Sequence, residues 1–340
     1  MTELFLGLGL LLLVLAAFSL FSLKMPKGQR AMSGLADAAI ASFLVEAIHK
    51  YILGEALGLP LFQEVGQLSG GLGGIAAAIL VPISMGASPV LAAAGGLAVG
   101  RFGILQGFIA GYAIGFLAPL IEKNLPKGVN IIAGALVSAP AAHLIARAVD
   151  PGVSAVLTYV GGAITLAAEQ QPILMGLLLG GMTKIICTAP LSSMALTAML
   201  GLTGLPMGIA SIACVGGAAS NGVVFKRMGY GDNSNVIAVM LEPLTQAVIV
   251  TSHPLTVYSG SFVGGGLAGV AAAALGIVNN APGTASPIPG LLAPLAFNDP
   301  ARVLAALAIA IPAGAAGGFV VSEFCRRLHG RENGDQRPLL

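Results

Sequence analysis

The sequence predicts an all-α, polytopic membrane protein with about ten transmembrane helices. Of its 340 residues, 56% are hydrophobic and only 9% are charged, whereas soluble domains carry roughly 25% charged residues. Apolar stretches of about 20 residues, enough to cross a hydrocarbon core of about 30 Å, recur along nearly the whole chain. The chain has 48 Gly and no Trp, which indicates helices that pack closely through small residues.

The apolar stretches set the expected crossings. The first has no basic residues before it, and Lys24, Lys27 and Arg30 follow it, so we expect a retained helix and not a signal peptide. Three other stretches, at 88–100, 187–202 and 236–254, are too short or too broken to be assigned as spans. The predicted crossings are residues 3–23, 31–52, 69–87, 104–121, 129–148, 152–169, 172–186, 203–220, 255–278 and 301–325.

Lys and Arg residues indicate the orientation. They concentrate in residues 24–30, 225–235 and 325–340, which the positive-inside rule assigns to the cytoplasm. We therefore expect one membrane domain, 1–325, and a short cytoplasmic tail, 326–340. The chain must then cross an even number of times after residue 235, and the spans at 255–278 and 301–325 already supply two. Residues 236–254 should form a re-entrant hairpin, which must be buried in protein or line a wet cavity.

One face of the 104–121 span has no side chains. Gly103, Gly107, Gly111 and Gly115 recur every fourth residue, and such a face lets another helix approach closely. The spacing leaves open whether that helix belongs to the same chain or to a second protomer.

A proline followed by an aliphatic and a hydroxyl residue recurs along the chain. Proline removes a backbone donor, and Ser or Thr can satisfy the carbonyl that this frees. The pattern therefore predicts polar breaks in membrane helices, where transporters build substrate sites. It occurs as VPISM (81–85), APLSS (189–193, with Ser192), EPLTQ (242–246, with Thr245) and HPLTV (253–257).

Glu242 is the leading candidate for a solute-binding residue. A carboxylate at mid-membrane costs roughly 2.5–3.5 kcal/mol on insertion scales, so it should face a cavity or a partner. The alternative is a wet, merely structural carboxylate at the mouth of the hairpin. His253, eleven residues later, either shares the cavity with Glu242 or sits at the membrane interface.

Lys184 and Asn221 are further candidates for substrate binding. Lys184 lies in a long uncharged run and could pair with Glu242 or hold an anionic solute; alternatively it snorkels to an interface. Asn221 offers both a donor and an acceptor to a polar ligand, but with Gly222 it could also form a helix-ending turn.

Several functional classes are excluded. No catalytic or nucleotide-binding motif occurs outside the apolar spans, and the basic residues never form a face with interleaved aromatics that would bind nucleic acid. Cys187, Cys214 and Cys325 are odd in number and far apart in sequence, so neither a disulfide framework nor a zinc site is expected. We expect no cofactor and no metal, and no stand-alone enzyme.

The sequence resembles a known membrane family. The segments VMLEPLTQ (239–246), preceded by a cytoplasmic loop, and GGMTKIICTAPLSSMALTAMLGLTGLPMG (180–208) are similar to the phosphotransferase system EIIC component, in the divergent branch that includes the perfringolysin O regulator. The resemblance covers most of residues 1–325. It implies a homodimer with elevator-like movement, in which Glu242 binds sugar hydroxyls and His253 is a counterpart of the family histidine that positions the hydroxyl to be phosphorylated. A separate EIIB protein would supply any phosphoryl group.

These observations predict an EIIC-type carrier of a small polar solute, such as a sugar, in the bacterial cytoplasmic membrane and in contact with its lipid. Two alternatives stay open. Carboxylate and imidazole in one cavity would also serve proton coupling without phosphorylation. The chain could instead be a membrane sensor or regulator that contacts a cytoplasmic partner through the 225–235 loop and the tail.

Overall fold

The computed structural model describes residues 9, 10, 13, 16 to 18, 20 to 189 and 193 to 334. The regular secondary structure of these residues is entirely helical, without a strand, which confirms the all-α prediction. The helices are, in chain order, α1 (Gly28–Ala39), α2 (Pro60–Gly71), α3 (Gly73–Ser84), α4 (Pro89–Val99), α5 (Ile104–Asn124), α6 (Val129–Gln170), α7 (Pro172–Thr188), α8 (Ser193–Met199), α9 (Gly204–Met228), α10 (Asn233–Leu241), α11 (Ala247–Ser252), α12 (Pro254–Ala274), α13 (Pro287–Leu292) and α14 (Pro300–Gly334). Two π-helical segments, Ile40–Leu44 and Ala47–Ala56, follow α1, and 3₁₀ turns occupy Pro243–Gln246 and Ala293–Ala296.

Six helical stretches of the described chain are long and apolar enough to cross a membrane. A seventh is α2 with α3, if this pair, bent by 57°, counts as one span. The protein is thus a multi-pass membrane protein as predicted, but the number of ten crossings is not confirmed. The six stretches are Gly28–Glu55, Ile104–Asn124, Val129–Gln170, Gly204–Met228, Pro254–Ala274 and Pro300–Arg327.

The prediction of two separate spans at 129–148 and 152–169 was wrong. Helix α6 runs unbroken for 42 residues with Pro140 and Pro151 inside it. An internal proline removes one hydrogen bond and does not oblige an apolar helix to end. Asp150, which lies between the two predicted spans, is inside this helix and accepts hydrogen bonds from Gln106 at 2.8 Å and Ser154 at 3.0 Å.

Contacts divide the chain into two compact units. Unit 1 contains the described residues up to 167 together with 193–203 and 280–284, and unit 2 contains 168–189, 204–279 and 285 onward. Of the predicted first span, 3–23, residues 20 to 23 are helical and most of the rest lies outside the described residues. Helix α14 continues past residue 325 to Gly334, and the boundary between domain and tail stays a prediction.

Within unit 1, the glycine face of α5 packs against α3. A Cβ on Gly107 would meet the carbonyl of Gly74, and one on Gly111 would lie 3.0 Å from the Cα of Ala78. The two backbones therefore touch where side chains are missing. Of the two alternatives that the sequence left open, the structure shows a contact within one chain.

Unit 2 is built on α7, α9, α12 and α14: the first three contact one another, and α14 packs against α9 and α12. Glycines again allow the close approach. A Cβ added to Gly180 would lie 2.8 Å from the carbonyl oxygen of Gly265, and one added to Gly216 would lie 2.5 Å from that of Ala310. Because the backbones are this close, a polar side chain in the interior has little room to change its position.

Candidate functional site

Glu242 lies at a break between two short helices of unit 2. Helix α10 ends at Leu241, and Glu242 is extended, with φ −146° and ψ 91°. Pro243, which has no N–H, begins the 3₁₀ turn that leads into α11. The sequence prediction of a break at this glutamate is confirmed, and Glu242 is half-buried there.

A chain of hydrogen bonds ties this break to the start of α10. Asp232 and Asn235 form a reciprocal capping box, with bonds of 2.9 and 3.0 Å. The Asn235 amide then donates to Gln246 Oε1 over 2.8 Å. Gln246 donates to the Thr245 hydroxyl over 3.1 Å, and Thr245 donates to the Glu242 carbonyl over 2.8 Å. The backbone around Glu242 is therefore held by side chains from both arms of the segment.

Lys184 is fully buried in unit 2. Its aliphatic chain fits a slot between two glycines, since a Cβ on Gly217 would lie 2.7 Å from Lys184 Cδ and one on Gly265 would lie 3.0 Å from Cγ. The ammonium donates to the Cys214 carbonyl at 3.4 Å and to Cys187 Sγ at 4.0 Å. Charge-assisted bonds are usually about 2.7–2.9 Å, so these two contacts compensate the charge only weakly.

A closed network of three polar side chains stands one turn from Lys184. Asn221 donates to Thr188 Oγ1 at 2.9 Å, and Ser261 donates to Asn221 Oδ1 at 2.8 Å. Thr188 in turn donates to the Lys184 carbonyl at 2.9 Å. All three side chains are fully buried. The network joins the C-terminal end of α7 to α9 and α12.

The alternative that Asn221 ends a helix with Gly222 was wrong. Both residues lie inside α9, which continues to Met228. A buried helix interior tolerates Asn because Thr188 and Ser261 satisfy its amide, as a buried polar group requires.

The turn after Glu242 and the helix of Lys184 are neighbours within unit 2. The 3₁₀ turn Pro243–Gln246 contacts α7. The Glu242 carboxylate and the Lys184 ammonium both act electrostatically on the Cys214 thiol, which also hydrogen-bonds to Cys187. Opposite charges, one from the break after α10 and one from the helix bundle, thus act on the same thiol.

The other predicted site residues are exposed or lie outside the described part of the chain. His253 is exposed and stacks on Tyr230, with ring centroids 3.9 Å apart and planes 4° apart. Thr245 is exposed, and Ser192 lies outside the described residues. Among the described residues there is no group of three or more His, Cys, Asp or Glu that would hold a metal ion.

Sequence reasoning missed three members of the site: Thr188, Gln246 and Ser261. Thr188 directly precedes the APLSS motif and Gln246 ends the EPLTQ motif, so both motifs held the signal. Ser261 lies in a glycine-rich span without such a pattern, and only the packing of α12 brings it to Asn221.

The long apolar helices, the break at Glu242 and the buried polar network are typical of membrane carriers built from broken helices. Compared with protein families, the chain matches the model described as "Phosphotransferase system, EIIC" over residues 29 to 337. The chain therefore belongs to the EIIC family of the phosphotransferase system, the membrane components that serve sugar transport. No curated protein and no solved structure matched it.

Proposed function

We propose that this protein carries a small polar solute, such as a sugar, across the membrane and that Glu242 binds the solute's hydroxyls. The observation that carries the proposal is the helix break at Glu242, fixed by the bonds from Asn235 through Gln246 and Thr245. A half-buried carboxylate on a rigid, non-helical backbone is a preorganised acceptor. A carboxylate has about four acceptor positions, which suits a ligand with several hydroxyls.

Lys184 and Asn221 complete the proposed site from the bundle side. The Lys184 ammonium, with contacts of 3.4 and 4.0 Å to Cys214 and Cys187, favours a negative group nearby, either Glu242 or an anionic solute. Asn221 fixes the end of α7 through Thr188, and in the proposal it holds Lys184 in place. Thr245 is exposed beside Glu242 and offers its hydroxyl to the solute.

We propose that the segment from α10 to α11 is a re-entrant hairpin. Helix breaks at both Glu242 and His253 support this. Pro254–Ala274 and Pro300–Arg327 are both candidate spans, so the 225–235 loop and the C-terminus share the cytoplasmic side only if the hairpin returns to the side it entered. His253 then lies at the rim beside Tyr230, and Ser192 is assigned to the solute site by its motif alone.

For the mechanism, we propose a homodimer in which the solute site moves across the bilayer in an elevator-like step. A separate EIIB protein would phosphorylate the solute, since EIIC components act with such partners. Proton coupling and a purely regulatory role are the alternatives, and one experiment separates all three.

The test is uptake by the purified protein in liposomes. Radiolabelled sugars and polyols are offered with and without phosphoenolpyruvate-dependent cytoplasmic extract, and separately with an imposed proton gradient. Uptake that needs the extract supports phosphorylation coupling, whereas uptake driven by the gradient alone replaces it with proton coupling. If no solute is taken up under either condition, the transport proposal is wrong and a regulatory role takes its place.

Glu242→Gln tests the site itself. This substitution removes the charge and keeps the shape of the side chain. A hydrogen bond to a charged group contributes about 1.5–3 kcal/mol, so we expect uptake to fall by at least tenfold. Glu169→Gln changes an exposed glutamate in the same unit and should leave uptake intact. Equal uptake by wild type and Glu242→Gln would remove Glu242 from the solute site.

A further inference from the structure

Unit 1 contains a cavity of about 300 Å³ that none of the proposed transport residues line. It lies where two helices begin, α3 at Gly73 and α5 at Ile104. Much of its wall is peptide backbone without side chains, contributed by Gly70, Gly71, Gly73, Gly74 and Gly103. A small ligand in this cavity would meet backbone groups directly.

The helix that starts at this cavity has open donors. No side chain caps α5 at Gly103, and the first bond of the helix runs from Gly107 N to Gly103 O at 2.9 Å. The N–H groups of the residues in between have no partner within the helix. Such N–H groups, with the positive end of the helix dipole, favour an anion.

Arg101 adds a full positive charge to the same wall. Its side chain is exposed, and it forms no ion pair or hydrogen bond with any residue that the structure describes. Guanidinium groups bind phosphate oxygens in a bidentate way. The cavity therefore combines a free guanidinium with the start of a helix.

Gln106 is the observation that points to a ligand independently of the helix terminus. It lines the cavity and is only 4% exposed. Its Nε2 donates to Asp150 Oδ1 at 2.8 Å and to Ser154 Oγ at 3.2 Å. The Asp150 carboxylate can only accept hydrogen bonds, so the Gln106 amide must point its nitrogen toward Asp150 and its Oε1 away from it.

There, Gln106 Oε1 lies 2.8 Å from the position that a Cβ on the lining residue Gly103 would take. No donor among the described residues bonds to this oxygen. Because Gln106 lines the cavity, this oxygen is an open acceptor for a ligand that brings a hydroxyl donor.

We propose that the Arg101 cavity binds a phosphate ester that carries a hydroxyl beside the phosphate, as in a glycerol phosphate group. The phosphate accepts from Arg101 and from the first N–H groups of α5, and the hydroxyl donates to Gln106 Oε1. Asp150 does not line the cavity and serves to orient the amide. A volume of about 300 Å³ lies at the lower end for small-ligand sites, which suits a group of this size.

The glycerol phosphate group has two sources, the headgroup of phosphatidylglycerol and the free ester. Leu72, between two lining glycines, is 49% exposed, as a lipid-facing residue would be. The experiment therefore offers both sources to the full-length protein in neutral detergent. The probes are glycerol 1-phosphate, glycerol, and mixed micelles with either phosphatidylglycerol or phosphatidylcholine, and the apparent Kd is taken from the concentration dependence of the unfolding midpoint.

We expect glycerol 1-phosphate, phosphatidylglycerol or both to raise the midpoint of the wild type, with no shift from glycerol or phosphatidylcholine. Arg101→Gln should raise the apparent Kd by about tenfold or more, the weight of a charge-assisted pair. Gly103→Ala should do the same without changing any charge, because its methyl group would meet Gln106 Oε1. Arg30→Gln, an exposed arginine outside the cavity, should bind as the wild type does.

The outcomes decide both the site and the source of the ligand. A shift by the micellar lipid alone assigns a lipid headgroup, and a shift by glycerol 1-phosphate assigns a soluble ester. The proposal is overturned if neither probe shifts the wild type, or if Arg101→Gln and Arg30→Gln weaken binding equally. If Arg101→Gln fails to fold, Gly103→Ala decides by the same criterion, and none of these outcomes depends on solute transport.

Discussion

The Asn235 amide donates to Gln246 Oε1 over 2.8 Å and joins the first turn of α10 to the turn that follows Glu242. Asn235 is at the same time the capping-box partner of Asp232. One side chain therefore both starts a helix and fixes the turn after its end. The position of the Glu242 backbone depends on a residue seven positions before it.

Gln246→Ala should loosen this turn. The substitution removes the hydrogen bond from Asn235, which contributes about 1 kcal/mol, and the hydrogen bond that Gln246 donates to the Thr245 hydroxyl. We expect faster amide hydrogen exchange in residues 243–252, measured by mass spectrometry, while α12 keeps its protection. Ser252→Ala, which removes only a local bond to Val248, is the matched control, and a similar exchange rate in both variants would contradict the prediction.

Asn221→Leu should destabilise unit 2. It keeps a similar volume but leaves the Thr188 and Ser261 hydroxyls, both fully buried, with fewer partners. Leaving buried polar groups unsatisfied costs about 1–3 kcal/mol, so the thermal unfolding midpoint in detergent should fall. Asn124→Leu removes only an exposed local bond to Leu120 and should stay close to the wild type. Equal unfolding midpoints for the two variants would show that the network of Thr188, Asn221 and Ser261 does not stabilise unit 2.

Gly217→Ala should force Lys184 out of its slot. The added methyl group would lie 2.7 Å from Lys184 Cδ, and such overpacking costs about 1–3 kcal/mol. Lys184→Ala empties the slot, so the double variant should lose less stability than the sum of the two single variants. A double-mutant cycle measured by thermal unfolding checks this, and strictly additive losses would show that the two positions do not compete for space.

Cysteine labelling tests the re-entrant hairpin. Ser234 and Ser252 are exposed at its two ends, whereas the native Cys187 and Cys214 are buried. With Cys325 replaced, Ser234→Cys and Ser252→Cys should both react with a membrane-impermeant maleimide added from the cytoplasmic side of inverted vesicles. Labelling of the two positions from opposite sides would make the segment a crossing and would place His253 on the far side.

The fold class and the helix breaks followed from single residues and their spacing. Pro243 and Pro254 end helices because each lacks the N–H that a continuing helix needs. Pro140 and Pro151 have the same chemistry but lie inside α6, since an apolar helix can give up one bond. Proline alone therefore predicts a weak point, and the surrounding packing decides whether the helix ends there.

The site was only partly predictable, because its contacts join residues far apart in the chain. Asn221 meets Ser261 across 40 positions and Thr188 across 33. Nothing in the local sequence of Ser261 distinguishes it from the other serines of apolar spans. Burial of Lys184 likewise depends on two glycines, Gly217 and Gly265, that belong to other helices.

The slot around Lys184 has a consequence for how variants of this protein are interpreted. Gly217 and Gly265 offer no functional group, yet the Cβ of any larger residue at either position would overlap the aliphatic chain of Lys184. A random mutagenesis screen for inactive variants should therefore recover these glycines alongside Glu242. It would be a mistake to conclude from such a screen that the two glycines contact the substrate. Recovery of the unfolding midpoint by a shorter residue at 184 would mark them as spacers, a distinction that loss of activity alone does not make.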